Sequence, residues 1–344
     1  MKTDLNTLIT IHPITYICYR VIFMDKIRIG IVGYGNLGKG VEKVLKNTKD
    51  MELISIFTRR EPKTIKSKAK VLHINEILDY KDKIDVMLLC GGSSSNLQDQ
   101  ALEIVKKFNT VDSFDTHALI LDYYKKLDKV AKESNRTAII SAGWDPGLFS
   151  IERLMFEAFL PKGETNTFWG PGISQGHSEA IRKIEGVVDG CQYTIPKEDA
   201  IKKARERIKA LSTKERHLRK CYVVAEENAD KNKIEQEIKN MPYYFKDYET
   251  EVEFISEKEM KKHKTKPHAG RVIRNGKTGE NKHLLEFSLK LESNPEFTAS
   301  ILVAYARAVH MLYQDKQYGA KTVFEIPLYL LSNNDKEDLI KEVL

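Results

Sequence analysis

Residues 26–40 read KIRIGIVGYGNLGKG. A short run rich in β-branched residues gives way to glycines at 33, 35 and 38, and VEKVLKNTKD (41–50) follows with the spacing of an amphipathic helix. The pattern predicts strand, G-x-G-x-x-G loop and helix. Each glycine has a distinct physical role. Gly33 makes the tight turn, Gly35 lets backbone amides approach a pyrophosphate, and Gly38 lets the helix pack closely on the strand. The helix N-terminus then offers unpaired N–H groups and a positive dipole end to the phosphates. Tyr34, Asn36 and Leu37 complete this candidate loop. Glycines occur in turns for many reasons, so the flanking strand and helix carry the inference.

The next strand, ELISIFT (52–58), ends in Thr58, Arg59 and Arg60, about 20 residues past the glycine loop. An NAD enzyme places an acid there, on the ribose 2′-hydroxyl; an acid would repel a 2′-phosphate. Arginine offers that phosphate a planar fork of donors, and Thr58 adds a hydroxyl. The pattern therefore points to NADP. The competing reading makes Arg59 and Arg60 exposed loop charges paired with Glu61.

Three further strands share the layout. IDVMLLC (84–90) runs into GGSSSN, so Gly92, Ser93, Ser94 and Ser95 are expected along the cofactor groove. TVDSFD (110–115) brings Ser113, Phe114 and Asp115, and TAIISAG (137–143) brings Trp144, Asp145, Pro146 and Gly147. Ligands in open α/β sheets bind beyond the carboxyl ends of the strands, which places these residues at the cleft mouth. Asp115 could equally cap the helix HALILDYYKKL, and Asp145 with Pro146 could start LFSIERLMFEAF. A Trp at 144 is costly to expose and should cover a neighbouring element or a ligand.

The chain of 344 residues is long enough for two domains, and 41% hydrophobic with 31% charged residues is ordinary for a globular protein. No apolar run has the length of a transmembrane helix. The net charge of +7 is spread over stretches such as KTIKSKAK (63–70) and EKEMKKHKTK (257–266), which read as solvated faces, with no nucleic-acid-binding pattern. Cys18, Cys90, Cys191 and Cys221 lack metal-ligand spacing, so no metal is expected and a reducing cytoplasm is. Residues 1–23 lack the features of a signal peptide and are read as an extension outside the fold.

After residue 160 the composition becomes strand-rich, with charged helices in PKEDAIKKARERIKAL and DKNKIEQEIKNM. This predicts an α+β domain with a mostly antiparallel or mixed sheet, one face of which could serve dimerisation. The segment FWGPGISQGHSEAIRKIEGV (168–187) carries many hydrogen-bonding groups and suits a polar ligand; the alternative is a helix N-terminus capped by Ser178. Near the end, Phe297, Ile301, Tyr305, Ala308 and Leu312 fall at helical spacing, predicting a long helix returning to the first domain. The expected division is 1–23, 24–147 (Rossmann-type, doubly wound, NADP-binding), 148–296 (substrate and dimerisation) and 297–344.

Taken in order, VGYGNLG, TRR, SAGWDPGLFS, TFWGPGISQGHS, QYTIP, KPHAG and NPEFTAS make the chain from Met24 onward resemble the meso-diaminopimelate D-dehydrogenases. The resemblance implies NADP-dependent, reversible oxidative deamination at the D-centre of meso-2,6-diaminopimelate, giving L-2-amino-6-oxopimelate, which cyclises to tetrahydrodipicolinate, and ammonia. It implies a homodimer in the bacterial cytoplasm serving lysine and cell-wall precursor synthesis. By resemblance, Asp115 and Asp145 contact substrate and are the candidate catalytic carboxylates. Thr194, Arg219, His268 and Asn294 grip the distal end, and Trp144, Trp169, Gln175 and Gly176 shape the D-end. Residues 197–218 depart from the family pattern, so Arg219 is placed through the following CYVVAE. Dihydrodipicolinate reductases, homoserine dehydrogenases and saccharopine reductases lack the GWDPG and FWGPG loops as a pair; a redox-sensing NADP-binding regulator would lack the substrate grip.

Overall fold

The computed structural model describes residues 26–92, 97–263 and 268–344, with the side chain of Gln175 excepted. The extension 1–23, Ser93, Ser94 and Ser95 lie outside the described residues. In the first half, β1 (Ile27–Val32), α1 (Asn36–Leu45), β2 (Met51–Thr58), β3 (Val71–His73), β4 (Val86–Leu89), α2 (Leu97–Ile104), β5 (Asn109–Asp112), α3 (Ile120–Glu133) and β6 (Thr137–Ile139) alternate as βα units. Then come α4 (Leu148–Phe159), β7 (Gly163–Trp169), β8 (Gly172–Ile173), α5 (Gln175–Arg182), β9 (Val187–Pro196), α6 (Glu198–Glu206), β10 (His217–Ala225), α7 (Lys231–Asn240), β11 (Glu249–Phe254), β12 (His268–Thr278) and β13 (Asn281–Leu291). The chain closes with α8 (Asn294–Gln314), β14 (Gly319–Lys321) and α9 (Lys336–Val343).

The first sheet is parallel throughout, in the order β14-β6-β5-β4-β1-β2-β3. All four residues of β4 and all of β5 are buried, as expected when helices cover both faces of a parallel sheet. The order reverses between β1 and β4, which opens a crevice beyond their carboxyl ends. The last strand, β14, pairs with β6, so the C-terminal segment completes this sheet. Its helix α8 packs on α1, where a Cβ at Gly40 would lie 3.0 Å from both Ala299 Cβ and Pro295 O. A two-point ion pair from Arg307 to Asp50, at 2.5 and 2.9 Å, pins α8 to the edge of β2.

The strand-rich half forms two sheets rather than one. The order β11-β10-β9-β8 is antiparallel except for the parallel β10–β11 pair, and β13-β12-β7 is antiparallel. Register matters here: Gly172, Thr194 and Arg219 share one row across β8, β9 and β10, and Trp169 pairs with Gly270. Residues distant in sequence thereby meet. No helix among the described residues is long and apolar enough to cross a membrane.

Candidate active site

At the nucleotide end, Gly33 has φ of +92° and Gly38 lies against it; a Cβ at 38 would approach Gly33 O to 2.2 Å. A Cβ at Gly35 would meet nothing within 4 Å. The loop thus forms a cradle beside the N-terminus of α1, whose first turn has no side-chain cap. Asn36 and Leu37 open that helix, and the Tyr34 hydroxyl donates to the buried Glu42, which also accepts from Ser67 at 3.0 Å. Glu42 is held below the ordinary range: burial opposes this, but hydrogen bonds from Tyr34 and Ser67 outweigh it.

Thr58 is buried at the end of β2, and its hydroxyl accepts from the Arg60 backbone N–H at 3.1 Å. The exposed Arg60 guanidinium donates to Tyr34 O at 2.6 Å, tying the arginine turn to the glycine loop. Arg59 is also exposed and makes no hydrogen bond or ion pair among the described residues. The supposed pairing with Glu61 is not made by either arginine. A bare backbone cradle at a helix start, with guanidinium donors one strand away, fits a dinucleotide bearing a 2′-phosphate. Gly92 follows β4 on the opposite wall.

Ser113, Phe114 and Asp115 leave β5. Phe114 is fully buried, Ser113 half-buried and Asp115 exposed. The short helical turn that follows has Thr116, not Asp115, at its N-cap position, with no side-chain capping bond. The loop's shape comes from Asp112, a residue the motif pattern does not single out. Its Oδ1 accepts from Phe114 N at 2.9 Å and Ser141 N at 3.1 Å, and its Oδ2 from Tyr123 Oη at 2.5 Å. One buried carboxylate therefore fixes the loops after β5 and β6 together, and burial raises its pKa.

The loop after β6 closes on itself. Gly143 N donates to Pro146 O at 3.0 Å, and Gly147, at φ of +126°, approaches so closely that its Cβ would lie 1.8 Å from Gly143 O. This turn sends Trp144 and Asp145 into the second half of the molecule. Trp144, 8% exposed, packs edge-on against Phe149 and His268, with ring centroids 5.2 and 5.0 Å apart. Its indole N–H donates to Asn294 Oδ1 at 2.9 Å. Asn294 thus anchors a tryptophan at the start of α8, a pairing that no sequence motif signals. Asp145 accepts from Arg153 on α4 and from the Trp169 indole N–H.

Beyond Trp169 lies a cluster of buried polar side chains. Trp169 stacks on His217 at 5.2 Å, and its backbone N–H donates to His217 Nε2 at 3.0 Å. Two residues on, Arg219 is 5% exposed, donates to Thr194 Oγ1, and lies 3.9 Å from the Tyr248 ring centroid. Its Nε has no partner and no carboxylate lies within ion-pair distance among the described residues. Burial lowers the pKa of Arg219, and burial first, then neighbouring guanidinium charge, lowers His177 and His217 to about 3. His268 is likewise lowered by burial. The helix of the FWGPG segment starts at Gln175 with Ser174 as N-cap, so Ser178 is not the cap; its hydroxyl instead donates back to Ser174 O at 2.6 Å. Gly176 is exposed in the first turn.

The pieces meet in sequence: cradle, cleft loops, two anchored tryptophans, then a buried cation. Such an arrangement can hold a dinucleotide at one end and a carboxylate at the other. Comparison with known proteins agrees. The profile of the diaminopimelic acid dehydrogenase C-terminal domain matches residues 143–293. A meso-diaminopimelate D-dehydrogenase of Ureibacillus thermosphaericus is 57% identical over 326 residues, covering 93% of this chain and 100% of the relative. The Corynebacterium glutamicum diaminopimelate dehydrogenase in complex with diaminopimelate superposes with a TM-score of 0.90 at 44% identity, covering 93% and 100% of the two chains. An engineered D-amino acid dehydrogenase bound to NADP+ gives 0.86 at 42% identity, with the same coverage.

Proposed function

The chain belongs to the diaminopimelate dehydrogenase family, and we propose that it catalyses the NADP-dependent, reversible oxidative deamination of meso-2,6-diaminopimelate at its D-centre. The products are ammonia and L-2-amino-6-oxopimelate, which cyclises to tetrahydrodipicolinate. The observation that carries this reading is Arg219: a buried guanidinium with no carboxylate partner among the described residues is costly unless a ligand brings one. A substrate carboxylate can take the planar fork, with the Thr194 hydroxyl beside it.

The glycine loop and α1 hold the pyrophosphate, with Gly92 on the facing wall; Thr58, Arg59 and Arg60 meet the 2′-phosphate, and Ser93 to Ser95 are assigned to the cofactor from their motif alone. When bound, NADP+ accepts the hydride from the D-centre. The protein itself must present one α-hydrogen and manage protons. Fixing both ends of a long substrate selects one stereocentre, because only one register brings an α-hydrogen to the nicotinamide. Arg219, Thr194, His268 and Asn294 hold the distal end. Trp144, Trp169 and Gly176 enclose the D-end, where the tryptophans also displace water, and Gln175 is assigned to the same end from its motif alone. Asp115 and Asp145 receive the ammonium; a carboxylate there takes the amine proton and orients the water that releases ammonia.

We further assign residues 24–147 to the cofactor, 148–296 to substrate and dimerisation, and 297–344 to the return segment. The proposed unit is a cytoplasmic homodimer. Helix α4 supports this: Leu154 and Phe159 are exposed, and α4 packs beside the 323–325 turn, where Phe324 is exposed as well. The decisive assay supplies purified protein with meso-diaminopimelate and NADP+ and follows NADPH. Turnover of the meso isomer with the LL isomer silent is expected; silence with all three stereoisomers would overturn the reading.

A further inference from the structure

Arg153 is the one cation on the helix LFSIERLMFEAF, which also carries Glu152 and Glu157, and no motif draws attention to it. Its guanidinium spans both oxygens of Asp145, with Nη2 to Oδ1 at 2.7 Å and Nη1 to Oδ2 at 3.3 Å. Nη2 also donates to Ser150 Oγ at 3.1 Å, and Nη1 lies 3.5 Å from Thr167 Oγ1, so two hydroxyls steady the fork. The Asp145 side chain is 2% exposed, and the Trp169 indole N–H supplies a third donor, to Oδ2. A carboxylate has about four lone-pair positions. Protein donors take three of them, leaving one on Oδ1.

We infer that Arg153 is a positioning residue that acts through Asp145: it fixes the carboxylate plane, so that the remaining lone pair and the Trp169 ring face the amine end of the substrate together. The substrate's identity rests on the function proposed above. A lysine reaching the same place would supply one charge but no planar two-point contact. The consequence extends beyond the carboxylate. Trp169 stacks on His217, two residues from Arg219 on β10, so a guanidinium on α4 sets contacts running from the D-end to the carboxylate pocket.

A double-mutant cycle separates positioning from general support, because a residue acting only through Asp145 has nothing left to do once Asp145 is changed. Arg153→Met is expected to lower kcat/KM for meso-diaminopimelate by about tenfold or more, leaving KM for NADP+ within about twofold. In an Asp145→Asn background the same change should cost less than about twofold. Arg153→Lys, which conserves charge and most of the volume, should fall between wild type and Arg153→Met, and it runs the same cycle if the methionine variant does not fold. A full effect in both backgrounds, or none in either, overturns the inference.

A second readout needs no turnover. The chain has 2 tryptophans, so in a Trp144→Phe background Trp169 is the sole emitter. Arg153→Met should shift its emission, and the shift should vanish when Asp145→Ala is added. Equal shifts with and without Asp145→Ala overturn the inference. Wild-type protein silent on meso-diaminopimelate would fail the functional reading instead, and the emission cycle would still decide the role of Arg153.

Discussion

The two ends of the cleft use arginine in opposite ways. Arg59 and Arg60 stand exposed on the turn after β2, in water and open to salt, whereas Arg219 is buried on β10 against Thr194 and Tyr248. An exposed guanidinium keeps its hydration until a phosphate arrives and gains little from it. A buried one has lost that hydration already, so a carboxylate reaching it finds a strong partner. On the proposed assignment, affinity for the cofactor is spread over the backbone cradle and several weak contacts, and recognition of the substrate is concentrated in few residues.

Arg219→Met tests the concentrated end most severely. Truncating one partner of a buried charge pair costs about 2–5 kcal/mol, so kcat/KM for meso-diaminopimelate should drop roughly 30-fold or more, with NADP+ binding unchanged. Steady-state kinetics and cofactor titration check both. The same substitution removes an unpaired buried charge, and the substrate-free protein should melt at the same or a higher temperature. A large fall in melting temperature would mean that Arg219 is structural.

Next in size is an acid effect on the same strand, at His217. His217 is fully buried, and its pKa is lowered to about 3, chiefly by burial and then by Arg216 and Arg219. The unfolded chain binds a proton near pH 6.5, where the folded one does not, so stability is lost as pH falls from about 6.5 toward 3. By pH 5 this amounts to about 2 kcal/mol. Denaturant midpoints between pH 7 and 5 should fall less steeply in His217→Gln, which keeps an acceptor for the Trp169 N–H but does not titrate.

At the exposed end the effects should be smaller and should separate the two arginines. Arg59→Glu is expected to cost NADP+ affinity about 1 kcal/mol, shrinking as salt screens the charge, with NAD+ affinity unaffected. Arg60→Glu also loses the contact with Tyr34 O, so it should weaken NAD+ and NADP+ together. Titrations at two ionic strengths distinguish these outcomes, and identical behaviour of both variants would break the contrast. Smallest in stability should be Gly35→Ala, whose Cβ meets no protein atom within 4 Å: melting should hardly move, while NADP+ affinity falls.

The cofactor end was readable in the sequence because its determinants are local. Strand, glycine turn and helix occupy residues 27–45, and Thr58 to Arg60 follow one strand later. The substrate end was reached through family motifs, and much of its architecture escaped them. Asp112 looks like any strand residue until its carboxylate is found bridging Phe114 and Ser141, the latter 29 residues further along the chain. Gly40 reads as one more loop glycine, yet it makes room for α8, which begins more than 250 residues later. Asn294 was named only through a family motif, with no sign of its tryptophan partner, and Arg153 was an ordinary helix residue until its aspartate partner came into view.

The sequence alone determined the parallel βα order, the phosphate cradle and the preference signalled by arginine in place of an acid, since turn geometry, helix dipole and alternation of apolar residues act over a few neighbours. Tertiary structure decided which polar groups are spent inside the protein and which are left for ligands. Asp145 gives most of its lone pairs to Arg153 and Trp169, Asn294 gives its carbonyl to Trp144, and Arg219 keeps its fork free of any carboxylate among the described residues. That allocation depends on register between strands far apart in the chain and on burial, which no local pattern encodes.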